Sequence, residues 1–203
     1  ITASGFYVLF LAGLPWKVIA GVAVAAGSAL PLAWNYLLHD YQRQRVLTLI
    51  DPSTDPLGAG YHIIQSTIAI GSGGVFGKGY LNGSQGQLEF LPERNTDFIF
   101  AVIGEELGFV GAVILLLLYL LVVSRAIYLA TQTQDTFARL LAGSLALIFF
   151  VYVFINAGMV SGILPVVGVP LPLVSYGGTS MVTLLAGFGI LMSLYANRKL
   201  VSS

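Results

Sequence analysis

The stretch Leu91 to Gly108 reads LPERNTDFIFAVIGEELG and gathers Glu93, Arg94, Asp97, Glu105 and Glu106. An uncharged run from Leu107 to Ser124 follows at once. Ionisable groups at the mouth of such a run are costly to desolvate, and where they occur they mark function. Asp97 can act as a general base. Transfer of a glycosyl group from a diphosphate donor needs one carboxylate to take the proton of the acceptor hydroxyl. The diphosphate leaves readily once a cation sits on it, so a second acid is not required. Thr96 or Asp97 can equally well cap a helix that begins at Phe98. The sequence weighs these two readings alike.

Arg94, Arg43, Arg45 and Lys78 are candidates for holding a diphosphate, because charge-assisted contacts to phosphate oxygens are strong. Each taken singly also reads as a solvated loop charge or a contact with anionic lipid headgroups. Glu105 and Glu106 follow Asp97 by eight and nine residues, about 12–13 Å along a helix. That is too far to share a proton with Asp97, and a structural role with polar groups of neighbouring elements is expected. Ser175 and Tyr176, in SYGG, can line a lipid or sugar site, or simply form a tight turn ahead of a helix, which the glycines allow. His39 and His62 lack metal-ligand spacing, and no metal site is predicted. GSGGVFGKG (Gly71 to Gly79) lacks the GK[ST] ending of a phosphate-binding loop and reads as a flexible turn.

The elements that must position these groups are membrane helices. The 203 residues are 57% hydrophobic and 9% charged, with no cysteine and zero formal net charge; mean hydropathy is +0.88. Soluble domains carry roughly 25% charged residues. The apolar residues come in unbroken runs, not in alternating ten-residue segments, so an all-α polytopic bundle is expected and a barrel is not. The neutral balance gives no basic footprint for nucleic acid. About five helices are predicted: 1–14, 18–38 with a kink at Pro31, 98–128, 140–160 and 179–195. The first is too short to span, and the chain opens on Ile1 with no basic lead-in. Both facts suggest the C-terminal part of a longer protein. Residues 39–96 form a long extramembrane loop in which 41–50 and 61–70 read as short interfacial helices.

Lys17, Arg125, Arg139, Arg198 and Lys199 fall on one side of this arrangement, while 161–178 carries no Lys or Arg. By the positive-inside rule the first set is cytoplasmic. The 39–96 loop and the Pro- and Gly-rich 161–178 loop then share the outer face, where any chemistry is expected.

The segments HDYQRQRVLTLIDPSTDPLGAGYHIIQS, GSGGVFGKG, QLEFLPERNTDFIFAVIGEELG and GILPVVGVPLPLVSYGG together resemble the SEDS family (shape, elongation, division and sporulation; RodA/FtsW). The likeness runs over essentially the whole chain. HDYQRQR and the QLEFLPER lead-in resemble the elongation branch, RodA, more than the division branch, FtsW. The resemblance implies a ten-helix protein of the bacterial inner membrane that polymerises lipid II into nascent glycan. It implies a class B penicillin-binding protein as partner, and it places the family's essential aspartate at Asp97. It also implies that this chain holds the last five helices and not a complete active site. A divalent cation such as magnesium is compatible with this chemistry. Two other readings stand beside it: a flippase for a lipid-linked sugar, which should carry polar groups near the bilayer midplane on broken helices, and a purely structural membrane partner.

Overall fold

The computed structural model describes residues 13, 15–56, 58–87, 91, 93–133 and 135–197. Apart from Gly13, the helix expected over 1–14 lies outside the described residues, as do Arg198 and Lys199. The described chain is helical: α1 (Trp16–Leu32), α2 (Asp40–Ile50), α3 (Ala59–Gly73), α4 (Ser84–Gln87), α5 (Ile99–Thr131), α6 (Thr136–Val160) and α7 (Gly178–Asn197). Among the described residues α5, α6 and α7 are long and apolar enough to cross a membrane, and α1 is a shorter apolar helix. The all-α membrane architecture is therefore as the composition predicts.

Pro31 acts locally. Lacking an N–H, it cannot sustain the α ladder, and residues Ala33–Leu37 form a π turn just beyond it. The Leu38 N–H reaches back five residues to the Ala33 carbonyl at 2.9 Å. The expected helix over 18–38 is thus an α-helix from Trp16 to Leu32 followed by this wider turn.

Within 39–96, α2 and α3 occupy the stretches expected for short helices. Helix α3, however, is an integral packing element and not a surface float. Ile63, Ser66, Ala69 and Gly73 are buried, and Gly73 lies so close to the Gly104 carbonyl that an added Cβ would sit 2.0 Å from it. The Ser66 hydroxyl donates to the Val160 carbonyl at 2.9 Å, tying α3 to the end of α6.

The main departure from the sequence reading lies in α5, which is broken at Gly108 (φ 68°, ψ −166°). A left-handed φ of this kind favours glycine. Phe100 lines one cavity of about 400 Å³ together with Leu116, Tyr119 and Leu120. In a straight helix Phe100 and Tyr119 would stand roughly 28 Å apart. The arms 99–107 and 109–131 therefore fold toward each other, with Gly108 at the turn.

The break exposes backbone groups that a membrane cannot solvate, and the glycine-rich turn satisfies them. The Phe109 and Val110 N–H groups donate to the Gly74 and Val75 carbonyls at 2.9 and 3.1 Å. The Lys78 and Gly79 N–H groups donate to the Glu105 and Glu106 carbonyls, both at 3.0 Å. This approach requires glycine, since a Cβ on Gly77 would lie 2.1 Å from the Glu106 carbonyl oxygen and one on Gly108 would lie 2.2 Å from the Gly77 nitrogen. GSGGVFGKG is a backbone plug for a broken helix, where the sequence reading has only a flexible turn.

Candidate active site

Asp97 sits in the turn that enters the first arm of α5. The helix starts at Phe98 with no side-chain cap, and the Thr96 hydroxyl turns back to Glu93, 2.6 Å from Oε2. Neither side chain caps the helix, so the capping alternative loses its support. The Asp97 carboxyl is half-buried, and burial first, then the Glu93 carboxylate nearby, push its pKa above the usual carboxylate range. Gly168 (φ 76°) lies against it, and a Cβ there would be 3.1 Å from Asp97 Oδ2.

The backbone of this turn is gripped from two elements. Asn156, fully buried near the end of α6, donates both amide hydrogens to carbonyls: Asp97 O at 2.8 Å and Val169 O at 2.7 Å. Ser175 is buried, accepts from the Leu171 N–H at 2.7 Å and donates to the Thr96 carbonyl. The Tyr176 N–H donates to the Asn95 carbonyl at 2.8 Å. Deeper in the bundle the buried Tyr119 hydroxyl donates to the Pro172 carbonyl at 2.6 Å. Residues 168–176 are thus bound to the 95–97 turn and seated on α5. The two loops meet at one end of the bundle, as the alternation of helices requires.

The expected binding residues divide into groups. Tyr176 is exposed and, with Asn95, Ile99, Ser175 and Gly177, lines a cavity of about 620 Å³ beside the turn. Both hydrogen-bonding roles of the Ser175 hydroxyl are already filled from within, so it holds the turn. Lys78 lies 2.8 Å from Glu105 Oε1 and donates to Ser84, which gives it an internal role. Arg94 donates to the Gly86 carbonyl. Arg43 donates to the Asn35 carbonyl at 2.9 Å and faces Asp40 at 3.8 Å. Arg43 and Arg45 are carried by α2, which packs on α3 and the Pro52–Thr54 turn. The fold therefore binds Ser175 and the Tyr176 backbone to the 95–97 turn, turns the Arg94 guanidinium to the Gly86 carbonyl of α4, and leaves the α2 arginines on the layer that α2 forms with α3. Asn156 and Gly168 are the residues that sequence reasoning does not assign to the site. The signal for Asn156 was its amide in an otherwise apolar helix. Among the described residues no three His, Asp or Glu side chains converge on a cation site. An apolar groove of about 440 Å³ between α5, α6 and α7 has Tyr152, Thr179, Ser180 and Thr183 as its polar lining, with no carboxylate, imidazole or basic group among the described residues.

The family model described as "Cell cycle protein" (FtsW, RodA, SpoVE) matches residues 1–200. The chain is a member of the SEDS family. It is 62% identical over 202 residues to the peptidoglycan glycosyltransferase MrdB of Escherichia coli K12, which covers 100% of this chain and 55% of that protein. To the probable peptidoglycan glycosyltransferase FtsW of Geobacter metallireducens it is 39% identical over 192 residues, covering 94% and 50%. Among solved structures it matches a chain from work on the coordination of polymerization and crosslinking by a peptidoglycan synthase complex. That match has a TM-score of 0.77 and 39% identity, and covers 96% of this chain and 53% of that one. This SEDS chain therefore spans about half the length of its relatives, and it stands closer to MrdB than to the FtsW protein.

Proposed function

We propose that the protein containing this chain is a peptidoglycan glycosyltransferase of cell elongation, which polymerises lipid II and uses Asp97 as its general base. The observation that carries this reading is the Asp97 carboxyl itself: half-buried, not used as a cap, and held by its backbone from α6 and the 161–178 loop. Fixing the main chain while leaving the carboxylate oxygens without a hydrogen bond among the described residues is what a base needs, since its lone pairs must meet the acceptor. In the proposed step Asp97 takes the proton of the acceptor sugar hydroxyl. The hydroxyl oxygen attacks the anomeric carbon of the second lipid II, and the bond from that carbon to the lipid diphosphate breaks. Arg94, with Tyr176 at the mouth of the 620 Å³ cavity, is proposed to face the diphosphate. Arg43 and Arg45, on the adjacent layer, are proposed to serve the lipid-side headgroup. Lys78 and Ser175 act at one remove, by holding the site.

The partner is proposed to be a class B penicillin-binding protein that cross-links the glycan. The enzyme is proposed to lie in the inner membrane with 39–96 periplasmic and the C-terminus cytoplasmic. The break in α5 is a feature that the flippase reading requires. Here, however, the break is filled by the chain's own peptide groups, and Lys78 answers the Glu105 carboxylate buried beside it. Purified full-length protein supplied with lipid II tests the reading: glycan polymer is expected, whereas transfer of lipid II across liposomes without polymer would favour the flippase.

A further inference from the structure

Glu105 is fully buried in the first arm of α5, yet its carboxylate is densely bound. Oε1 accepts from Lys78 Nζ at 2.8 Å, from the Ser84 hydroxyl at 3.0 Å and from the Gln85 N–H at 3.1 Å. Oε2 accepts from the Gln85 N–H at 3.1 Å and the Gly86 N–H at 3.2 Å. The approach is close enough that a Cβ on Gly83 would lie 2.8 Å from Oε2. A buried carboxylate is tolerated only when charge and lone pairs are both answered, and here the answering groups come from Lys78 and from one four-residue segment, α4. The same segment presents the Gly86 carbonyl to the Arg94 guanidinium, and Arg94 lies three residues before Asp97.

We propose that Glu105, clasped by Lys78, is a positioning residue that fixes α4 and, through the Gly86 carbonyl, holds the Arg94 guanidinium at the start of the turn that carries Asp97. The inference rests on the proposed role of Asp97 and Arg94. Asn156 and Ser175 hold one side of the 93–97 turn, and the Glu105 clasp holds the other. It thereby couples the plugged break in α5 to the site.

The test uses full-length protein with Glu105→Gln, Arg94→Gln and the double variant, read by lipid II polymerisation and by amide hydrogen exchange. An amide at position 105 turns a donor toward the Gln85 and Gly86 N–H groups and loses the charge opposite Lys78. Exchange should then rise both at 84–87 and at 93–97. Glu105→Gln should lose about tenfold in rate and Arg94→Gln about ten- to a hundredfold, and the double should lose little more than Arg94→Gln alone, since residues acting through one contact are non-additive. Ser84→Ala, at an exposed position, should shift exchange the same way by less, and it serves if Glu105→Gln fails to fold. Opening of 84–87 with unchanged exchange at 93–97, or multiplicative rate losses in the double variant, would overturn the coupling. Absence of polymer from the unmodified protein would count against the proposed function alone, because exchange reads the clasp without activity.

Discussion

Asn156→Leu is the most informative single change away from the carboxylate. Its side chain is fully buried and donates to two main-chain carbonyls, those of Asp97 and Val169. Leucine keeps the branched arrangement of side-chain heavy atoms and suits an apolar helix, so insertion and gross folding should survive. Each lost hydrogen bond is worth about 1 kcal/mol net, and each carbonyl left buried without a donor costs about 1–3 kcal/mol. Allowing for partial rescue by water, the held conformation of the 95–97 turn should weaken by about 2–4 kcal/mol, a factor of roughly 30 to 1,000 between held and released turn. Polymerisation by full-length protein at matched expression should fall at least about tenfold, and amide exchange should rise at 95–98 and 168–171. Ser144→Ala on the same helix removes only a local bond to the Leu141 carbonyl at 2.8 Å, and it should do neither. If Asn156→Leu polymerised at the unmodified rate with unchanged exchange, the claim that α6 fixes the Asp97 turn would be refuted.

Further outcomes follow from the same geometry. A carboxyl whose pKa is raised is protonated further into the working range, so the rate should climb with pH as Asp97 ionises. Glu93→Gln removes the second cause of that rise, and a pH–rate profile should show the acid limb moved to lower pH. Gly168→Ala sets a methyl 3.1 Å from Asp97 Oδ2 at φ 76°; left-handed strain of about 1–2 kcal/mol and lost solvation should cut the rate about tenfold, as measured on lipid II. Arg94→Gln should lose about ten- to a hundredfold in rate for a diphosphate contact of about 1.5–3 kcal/mol. Arg125→Gln, whose guanidinium stacks 5.3 Å from the Tyr128 ring on the far arm of α5, should stay near the unmodified rate. Single cysteines at Asn82 and Ser203 should be reached by an impermeant reagent from the periplasm at Asn82 only, and the opposite pattern would invert the proposed orientation.

Much of this was legible before the structure. Unbroken apolar runs mark α5, α6 and α7, and the carboxylate at Asp97 stands out because so little charge surrounds it. Glu105 could be read as structural from its helical distance alone. What stayed hidden was tertiary. EELGFVGAV reads as continuous helix, because a glycine within a membrane helix is unremarkable by itself; the break at Gly108 exists because the 74–79 backbone is there to satisfy it. For the same reason GSGGVFGKG carries no local sign of its role. The partners of Lys78 and Ser175 lie 27 and 79 residues away, so composition and spacing could mark these side chains as polar candidates but not as inward-facing ones. Asn156 was visible as a lone amide, while its target, a main-chain carbonyl, leaves no trace in any sequence.

The central claim is that one carboxylate at the entry to α5 performs the proton transfer, and Asp97→Asn in full-length protein tests it most directly. The amide keeps the shape of the side chain and leaves the Asn156 and Ser175 contacts to the turn's carbonyls intact, but it cannot take a proton. Polymerisation of lipid II should fall to background while membrane insertion and amide exchange at 95–98 stay as in the unmodified protein. Glycan polymer made by Asp97→Asn at the unmodified rate would contradict the account.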